Sequence, residues 1–132
     1  MGLIYLDTCL VIYAFEDHPR WGAPVRAALA SEEPGRFAIS PLVTLECLVA
    51  PMRDGNLALQ RYYEDGLRQL QMLPIPEDAY LRAAMLRARF GIKTPDALHL
   101  ATAIGHGCAA LWTADDRLQR AGHGLAVNVL RG

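Results

Sequence analysis

The sequence predicts a three-layer α/β/α domain with a mostly parallel central sheet, because short apolar runs alternate with longer segments of helical periodicity from end to end. No repeat, linker or low-complexity tract interrupts this alternation. The length of 132 residues is close to the usual size of one domain. We therefore expect a single domain that covers residues 1–132.

The predicted strands are short, continuous apolar runs, which are typical of parallel strands buried on both faces. Asp7 follows the first run directly, and Asp115 lies just beyond the fourth. Pro74 confines the third run to a sheet edge or an early end, because proline cannot donate a backbone hydrogen bond. The predicted strands are 3–6, 37–40, 71–75, 109–112 and 126–130.

The predicted helices combine apolar residues at three- and four-residue spacing with recognisable start and stop signals. Thr94 can accept the free N–H groups of one helix start, and Pro95 suits the first helical position. That helix is apolar on nearly every face, so we expect it to lie inside the protein. The predicted helices are 9–15, 21–30, 42–50, 56–70, 77–90 and 95–104, with a helical turn at 117–120.

Charge and hydrophobicity limit the functions that the chain can have. Its formal net charge of −1 is not that of a protein that binds polyanions through its whole surface. A nucleic-acid contact would therefore need a local basic patch or a bound metal. The hydrophobic share of 52% is high for this length, so we expect a second copy or another chain to cover part of the surface.

The cysteines and the hydropathy pattern indicate where the protein works. Cys9, Cys47 and Cys108 lie in apolar contexts without the spacing of a metal or redox motif. An odd, scattered set of this kind is typical of reduced thiols in a cytosolic protein. No apolar run reaches the length of a membrane span, and the chain opens on a strand pattern instead of a basic leader. We expect a cytoplasmic protein without a membrane partner.

Four of the acidic residues stand in apolar surroundings, where a carboxylate needs an explanation. Asp7 and Asp115 follow predicted strands, and a parallel sheet brings such positions to the same edge. Asp96 lies in the first turn of an apolar helix, and Glu46 interrupts another. Converging carboxylates repel one another, and a divalent cation removes that repulsion. An all-oxygen site without converging Cys or His selects Mg²⁺ or Mn²⁺ over zinc and suits phosphoryl chemistry.

Some of these residues also have a purely structural interpretation. Asp96 could do no more than complement the dipole of its helix. Asp7 could cap the helix that follows it, a role that is compatible with binding a ligand. His99 lies three residues after Asp96, near the same helical face, and could act as an acid or base. Its neighbours Leu98 and Leu100 favour instead a hydrogen-bonded histidine of the core.

Four ordered motifs resemble the PIN domain, in particular the single-domain VapC-type toxins of toxin–antitoxin pairs. The motif around Asp96 is the most specific, and the ordered set spans the whole chain. The motifs are Leu6-Asp7-Thr8, Leu45-Glu46, Pro95-Asp96-Ala97-Leu98-His99-Leu100-Ala101-Thr102-Ala103 and Leu111-Trp112-Thr113-Ala114-Asp115. The resemblance implies a PIN-like nuclease domain over residues 1–132.

The resemblance also implies an activity and a set of site residues. By family likeness, the protein would be a Mg²⁺- or Mn²⁺-dependent endoribonuclease that hydrolyses RNA phosphodiester bonds and is restrained by a cognate antitoxin. Asp7, Asp96 and Asp115 would hold the metal. Glu46 would orient the attacking water or accept its proton. The family and the apolar surplus together lead us to expect a homodimer.

Two positions depart from the family pattern. Cys9 stands where the family often has a small polar residue, which would remove one contact to the scissile phosphate or to a water. Asp116 directly follows Asp115, so either could supply the fourth carboxylate, and the spacing from Thr113 favours Asp115. Thr8 and Thr113 match hydroxyls that often accompany the family's acids.

The basic residues indicate where RNA could be held. Arg82, Arg87 and Arg89, with Lys93 just beyond, form the densest basic cluster, and Arg117 follows the last of the four motifs. These five residues are candidates to bind the RNA backbone. The alternative is an exposed helix face whose cations stabilise the last turn.

Two other functions compete with the nuclease. A catalytically silent PIN-like scaffold would act through protein contacts alone, but the presence of all four acids argues against it. A receiver-like signalling domain also gathers acids around Mg²⁺, yet it needs an acidic pair after the first strand, a central phosphorylated aspartate and a late lysine. Asp7 has no acidic neighbour, and Lys93 precedes a helix. A phosphatase of the haloacid dehalogenase type would need a second aspartate two residues after Asp7.

Overall fold

The structure is a computed structural model and describes residues 2–130. Within that range, five strands form one sheet in which every neighbouring pair is parallel. The strands are β1 (Ile4–Leu6), β2 (Phe37–Ile39), β3 (Gln71–Met72), β4 (Ala110–Thr113) and β5 (Ala126–Asn128), in the spatial order β3-β2-β1-β4-β5. The prediction of a mostly parallel central sheet is confirmed.

Seven α-helices accompany the sheet in this part of the chain, and a single 3₁₀ turn at Pro34–Arg36 is an addition that the sequence pattern does not predict. The helices are α1 (Thr8–Phe15), α2 (Gly22–Ala30), α3 (Pro41–Arg53), α4 (Leu57–Leu67), α5 (Glu77–Phe90), α6 (Thr94–Gly105) and α7 (Asp116–Ala121). Helix α1 packs against α2 and α3, α3 packs against α4, and α5 lies along α6. The predicted three-layer α/β/α arrangement is confirmed.

Strand β1 lies in the middle of the sheet and fixes the position of the first acid. Ile4 pairs with Phe37 of β2 on one side and with Ala110 of β4 on the other. The Asp7 backbone N–H donates to the Trp112 carbonyl oxygen at 2.9 Å, so the pairing of β1 with β4 continues to the end of β1. The residues that follow these two strands are therefore neighbours at one edge of the sheet.

Helix α6 lies inside the protein, as its apolar sequence predicts, and it packs against α5 and β4. Its fully buried apolar side chains are Ala97, Leu100, Ala101 and Ala103. The predicted capping role of Thr94 is wrong. Thr94 is itself the first helical residue, and the N-cap is Lys93, which makes no side-chain cap hydrogen bond.

Several element boundaries differ from the prediction for local reasons. Helix α3 continues beyond residue 50 through Pro51, because the Asp54 N–H donates to the Ala50 carbonyl oxygen at 3.0 Å and closes the last turn. Helix α4 ends before residue 70. Strand β5 ends at Asn128, whose side-chain oxygen accepts from the Leu130 N–H at 3.0 Å and turns the chain away.

Two helices carry large exposed apolar side chains. Leu45, Val49 and Met52 follow one face of α3, with 58%, 50% and 54% of their surfaces exposed. Leu81 and Met85 form a similar pair on α5, at 72% and 71%. That a second copy or another chain covers these faces stays a prediction. In residues 2–130, no helix has both the length and the apolar character that crossing a bilayer requires.

Candidate active site

A cavity of about 830 Å³ opens where β1 and β4 end and α6 begins. Its walls carry all four acids that the sequence singles out, together with the neighbour of the last one. The acidic residues of the wall are Asp7, Glu46, Asp96, Asp115 and Asp116. The parallel sheet and the buried α6 thus bring together carboxylates that are far apart in sequence.

Asp7 is buried and fully hydrogen-bonded. Its Oδ1 accepts from the Thr8 backbone N–H at 2.8 Å and caps α1, while its Oδ2 accepts from the Thr113 hydroxyl at 2.7 Å. The Cys9 thiol lies 3.6 Å from the same Oδ2. Asp7 therefore has the capping role that the sequence predicts, and it also lines the pocket. The hydrogen bond to Thr113 also ties β1 to β4 at the floor of the pocket.

Glu46 reaches the pocket from α3, with 28% of its side chain exposed. Its Oε1 accepts from the Thr8 hydroxyl at 2.7 Å and from His99 Nε2 at 2.7 Å. Burial alone would raise the pKa of Glu46, but the hydrogen bonds from His99 and Thr8 and the His99 ring hold it below its usual value. The side chain is therefore a carboxylate at neutral pH.

The surroundings of Asp96 shift its pKa in the opposite direction to that of Glu46. Burial raises its pKa, and the negative charges of Asp7 and Asp115 raise it further. Asp7 and Asp115 line the same pocket as Asp96. Repulsion among these carboxylates is what a bound cation would relieve.

Asp115 and Asp116 both line the pocket, but they have different partners. Asp115 caps α7, since its Oδ1 accepts from the Arg117 backbone N–H at 2.8 Å. Asp116 Oδ1 accepts from the Asn128 side-chain amide at 2.9 Å. The charge of Asp115 contributes to the raised pKa of Asp96. Which of the two neighbours supplies the fourth carboxylate stays a prediction.

The donor set suits a hard divalent cation, because it consists of carboxylate oxygens that repel one another. Cys9 is poorly suited as a soft ligand, since burial first and the charge of Asp7 second raise the pKa of its thiol to about 12. Within residues 2–130, no three His, Cys, Asp or Glu side chains already stand together as a metal-binding group. That Asp7, Asp96 and Asp115 hold such an ion stays a prediction.

The predicted RNA-binding cations are distributed over different surfaces. Arg117 lines the acidic pocket, whereas Arg82 lines a separate cavity beside α5. Arg87 Nε donates to the Ile92 carbonyl oxygen at 3.0 Å, and the Arg89 guanidinium lies 5.7 Å from the Phe90 ring centre. The first contact joins α5 to the segment that leads to α6, and the second lies within α5. Whether any of these cations binds RNA stays a prediction. Lys93 is the N-cap residue of α6.

Sequence reasoning missed two groups at the site. Arg120 lines the acidic pocket together with Arg117, and its position in the last turn of the short α7 gave no signal. The second group is Tyr5 with Ser40, which form a buried hydrogen-bonded chain with His99 behind Glu46. His99 itself is the hydrogen-bonded core histidine that its apolar neighbours predict. A hydroxyl in the otherwise apolar first strand was the available signal, because a buried polar group needs a partner.

Comparison with known families and solved structures agrees with the fold described above. The family model for the PIN domain matches residues 4–124. No curated protein matches the chain in sequence. A toxin–antitoxin complex from Klebsiella pneumoniae contains a chain that is 25% identical, with a TM-score of 0.79 over 96% of this chain and 97% of that one.

Two further solved structures share the fold at lower identity. FitAcB from Neisseria gonorrhoeae is 20% identical, with a TM-score of 0.80 over 98% of this chain and 99% of that one. The Mycobacterium tuberculosis toxin VapC20 is 18% identical, with a TM-score of 0.74 over 90% and 95% of the two chains. PIN domains generally use divalent metals. Because the family model spans nearly the whole described chain, this protein belongs to the PIN domain family.

Proposed function

We propose that the protein is a Mg²⁺- or Mn²⁺-dependent endoribonuclease and the toxin of a toxin–antitoxin pair. The observation that carries this proposal is the convergence of Asp7, Glu46, Asp96 and Asp115 on one pocket. The similar chain from Klebsiella pneumoniae comes from a toxin–antitoxin complex, and VapC20 is described as a toxin that cleaves the sarcin–ricin loop. Both similarities support the interpretation of the acidic pocket as the active site of a toxin nuclease.

The residues of the pocket have different roles in the proposed phosphodiester hydrolysis. Asp7, Asp96 and Asp115 would hold a divalent cation, which would supply Lewis-acid activation of water and compensate the phosphate charge. Glu46, kept as a carboxylate, orients the attacking water or accepts its proton. Arg117 at the rim offers a cation to the phosphate backbone that approaches this negative pocket.

The proposal includes partners and a location. A cognate antitoxin would restrain the nuclease, a homodimer would cover part of the exposed apolar surface, and the protein would act in the cytoplasm. The apolar faces on α3 and α5 support a protein partner, because exposed patches of large apolar side chains mark interaction surfaces.

Metal dependence is the first test. The purified protein, incubated with total RNA, is expected to cleave it in Mg²⁺ or Mn²⁺ and to stop when EDTA is added, because chelation removes the cation that the carboxylates need. Denaturing gels of the RNA measure the cleavage, and excess Mg²⁺ added after EDTA should restore it. Intact RNA under every metal condition would reject the nuclease and favour the silent scaffold.

The two arginines at the rim give a second test. Arg117→Ala and Arg120→Ala are each expected to raise KM for RNA roughly fivefold, about 1 kcal/mol, because each removes a cation beside the path to the acids. Arg82→Ala is the matched control and should leave KM unchanged, since Arg82 lines a different cavity. KM measured at two salt concentrations would show the weaker salt dependence of the rim variants. An effect of Arg82→Ala as large as theirs would contradict the assignment.

A further inference from the structure

Three buried polar side chains form a chain of hydrogen bonds through the core behind the acidic pocket. Ser40 Oγ lies 2.7 Å from the Tyr5 hydroxyl, which lies 2.6 Å from His99 Nδ1. Ser40 and Tyr5 are fully buried, and His99 is 1% exposed. Burying three such groups in an apolar core is costly unless they are paired, and here every one of them is.

The chain ends on the pocket. His99 Nε2 lies 2.7 Å from Glu46 Oε1, and because a carboxylate only accepts, Nε2 must carry the hydrogen. The Thr8 hydroxyl donates to the same oxygen at 2.7 Å. In the described part of the chain, all hydrogen bonds to Glu46 reach Oε1. The second carboxylate oxygen, Oε2, is left to whatever enters the pocket.

The elements that carry these groups make the arrangement rigid. Tyr5 belongs to the central strand β1, Ser40 is the N-cap residue of α3, and His99 lies on the buried face of α6. Glu46 itself has a long, partly exposed side chain. Without such contacts it would be free to change rotamer. A charge-assisted hydrogen bond from an immobile donor holds one of its oxygens in place.

We propose that His99 is a positioning residue for the reaction, which it serves by fixing Glu46 through Oε1 so that Oε2 alone is available to the attacking water. Tyr5 and Ser40 hold the His99 ring in the orientation that this requires. The inference rests on the proposed nuclease function, because it assigns Glu46 a role in the chemical step. Loss of a positioning residue of this kind lowers the rate roughly 10- to 100-fold, because a small displacement of a reacting group raises the activation barrier.

Two isosteric substitutions separate this role from simple packing. In His99→Gln the amide nitrogen takes the place of Nε2 and can still donate to Glu46, whereas in His99→Asn it takes the place of Nδ1 and cannot reach Glu46. Both variants lose the ring and should lose similar stability. We expect His99→Asn to lower kcat about 30-fold with KM for RNA unchanged, and His99→Gln to keep kcat within about threefold of the unsubstituted protein.

Equal kcat values for the two variants at equal melting temperature would overturn the inference, as would a change confined to KM. A second measurement does not depend on activity. In the ¹⁵N-labelled protein, the His99 Nε2–H proton should exchange slowly and resonate downfield, and Glu46→Ala should remove that downfield shift. A resonance that does not respond to Glu46→Ala would also overturn the inference. Absence of RNA cleavage by the unsubstituted protein, with the shift as expected, would reject the nuclease proposal and leave the Glu46 contact intact.

Discussion

Asp96→Asn is expected to abolish metal-dependent RNA cleavage and, at the same time, to raise the melting temperature of the metal-free protein. Cleavage should fall by roughly 100-fold or more, because the substitution removes a carboxylate that would hold the cation. Stability should rise by about 1 kcal/mol, because the neutral amide escapes both burial of a charge and repulsion by Asp7 and Asp115. Thermal unfolding in EDTA and a cleavage assay in Mg²⁺ measure the two effects.

The stability gain should depend on pH with a definite sign. The pKa of Asp96 is raised above its ordinary value of 3.8, so the folded state disfavours the charged form and loses stability as the group ionises. The advantage of Asp96→Asn should therefore be present at neutral pH, shrink as the pH falls through the raised pKa, and disappear below the ordinary value. Added Mg²⁺ should stabilise the unsubstituted protein more than the variant.

Asp78→Asn is a matched control for this prediction. Asp78 also lies in the first turn of a helix, α5, but it is exposed and remote from the acidic pocket. Its substitution removes a favourable charge–dipole interaction and should cost a few tenths of a kcal/mol without changing cleavage. A fall in the melting temperature of Asp96→Asn comparable to that of Asp78→Asn would show that Asp96 complements its helix and nothing more.

Asp7→Ala is expected to abolish cleavage as well, but to destabilise the protein by about 1–3 kcal/mol. The substitution removes the cap of α1 and leaves the buried Thr113 hydroxyl without its acceptor. Urea denaturation in EDTA measures the loss of stability. Asp7→Ala and Asp96→Asn should therefore share the catalytic defect while their effects on stability have opposite signs.

Asn56→Ala is the control for the capping contribution of Asp7. The Asn56 side chain accepts from the Leu59 backbone N–H at 3.1 Å and caps α4. Asn56 has no proposed role in cleavage. Its loss should cost about 1 kcal/mol and leave cleavage unchanged. If Asp7→Ala cleaved RNA at the rate of Asn56→Ala, Asp7 would be a cap and a strand tie without a part in the chemistry.

The candidate acids could be identified from the sequence because local context exposes them. Asp7 and Asp115 follow apolar strand patterns, and Glu46 interrupts an apolar helix. The charge of a carboxylate in such a place has to be compensated. The alternation of elements implies a parallel sheet, which brings residues at the ends of its strands together at one edge. The structure brings these residues to one cavity and shows that Asp7 also caps α1.

Other assignments depended on contacts that no local pattern contains. The sequence places Arg87 in a basic cluster, yet its guanidinium donates to a backbone carbonyl just beyond α5. Nothing in the local sequence indicates that α7 brings Arg120 to the wall of the acidic pocket. Which side of a helix turns toward a site several elements away is decided by helix packing, and side-chain spacing alone does not contain that information.

Local sequence patterns predict the fold class, the central buried helix and the four carboxylates, because periodicity, turns and apolar context are properties of neighbouring residues. Three-dimensional packing places Tyr5 against Ser40, 35 positions away, and against His99, 94 positions away. It thereby brings His99 to Glu46. The physical reason is that hydrogen bonds inside a core form between whichever polar groups the sheet order and the helix packing place together.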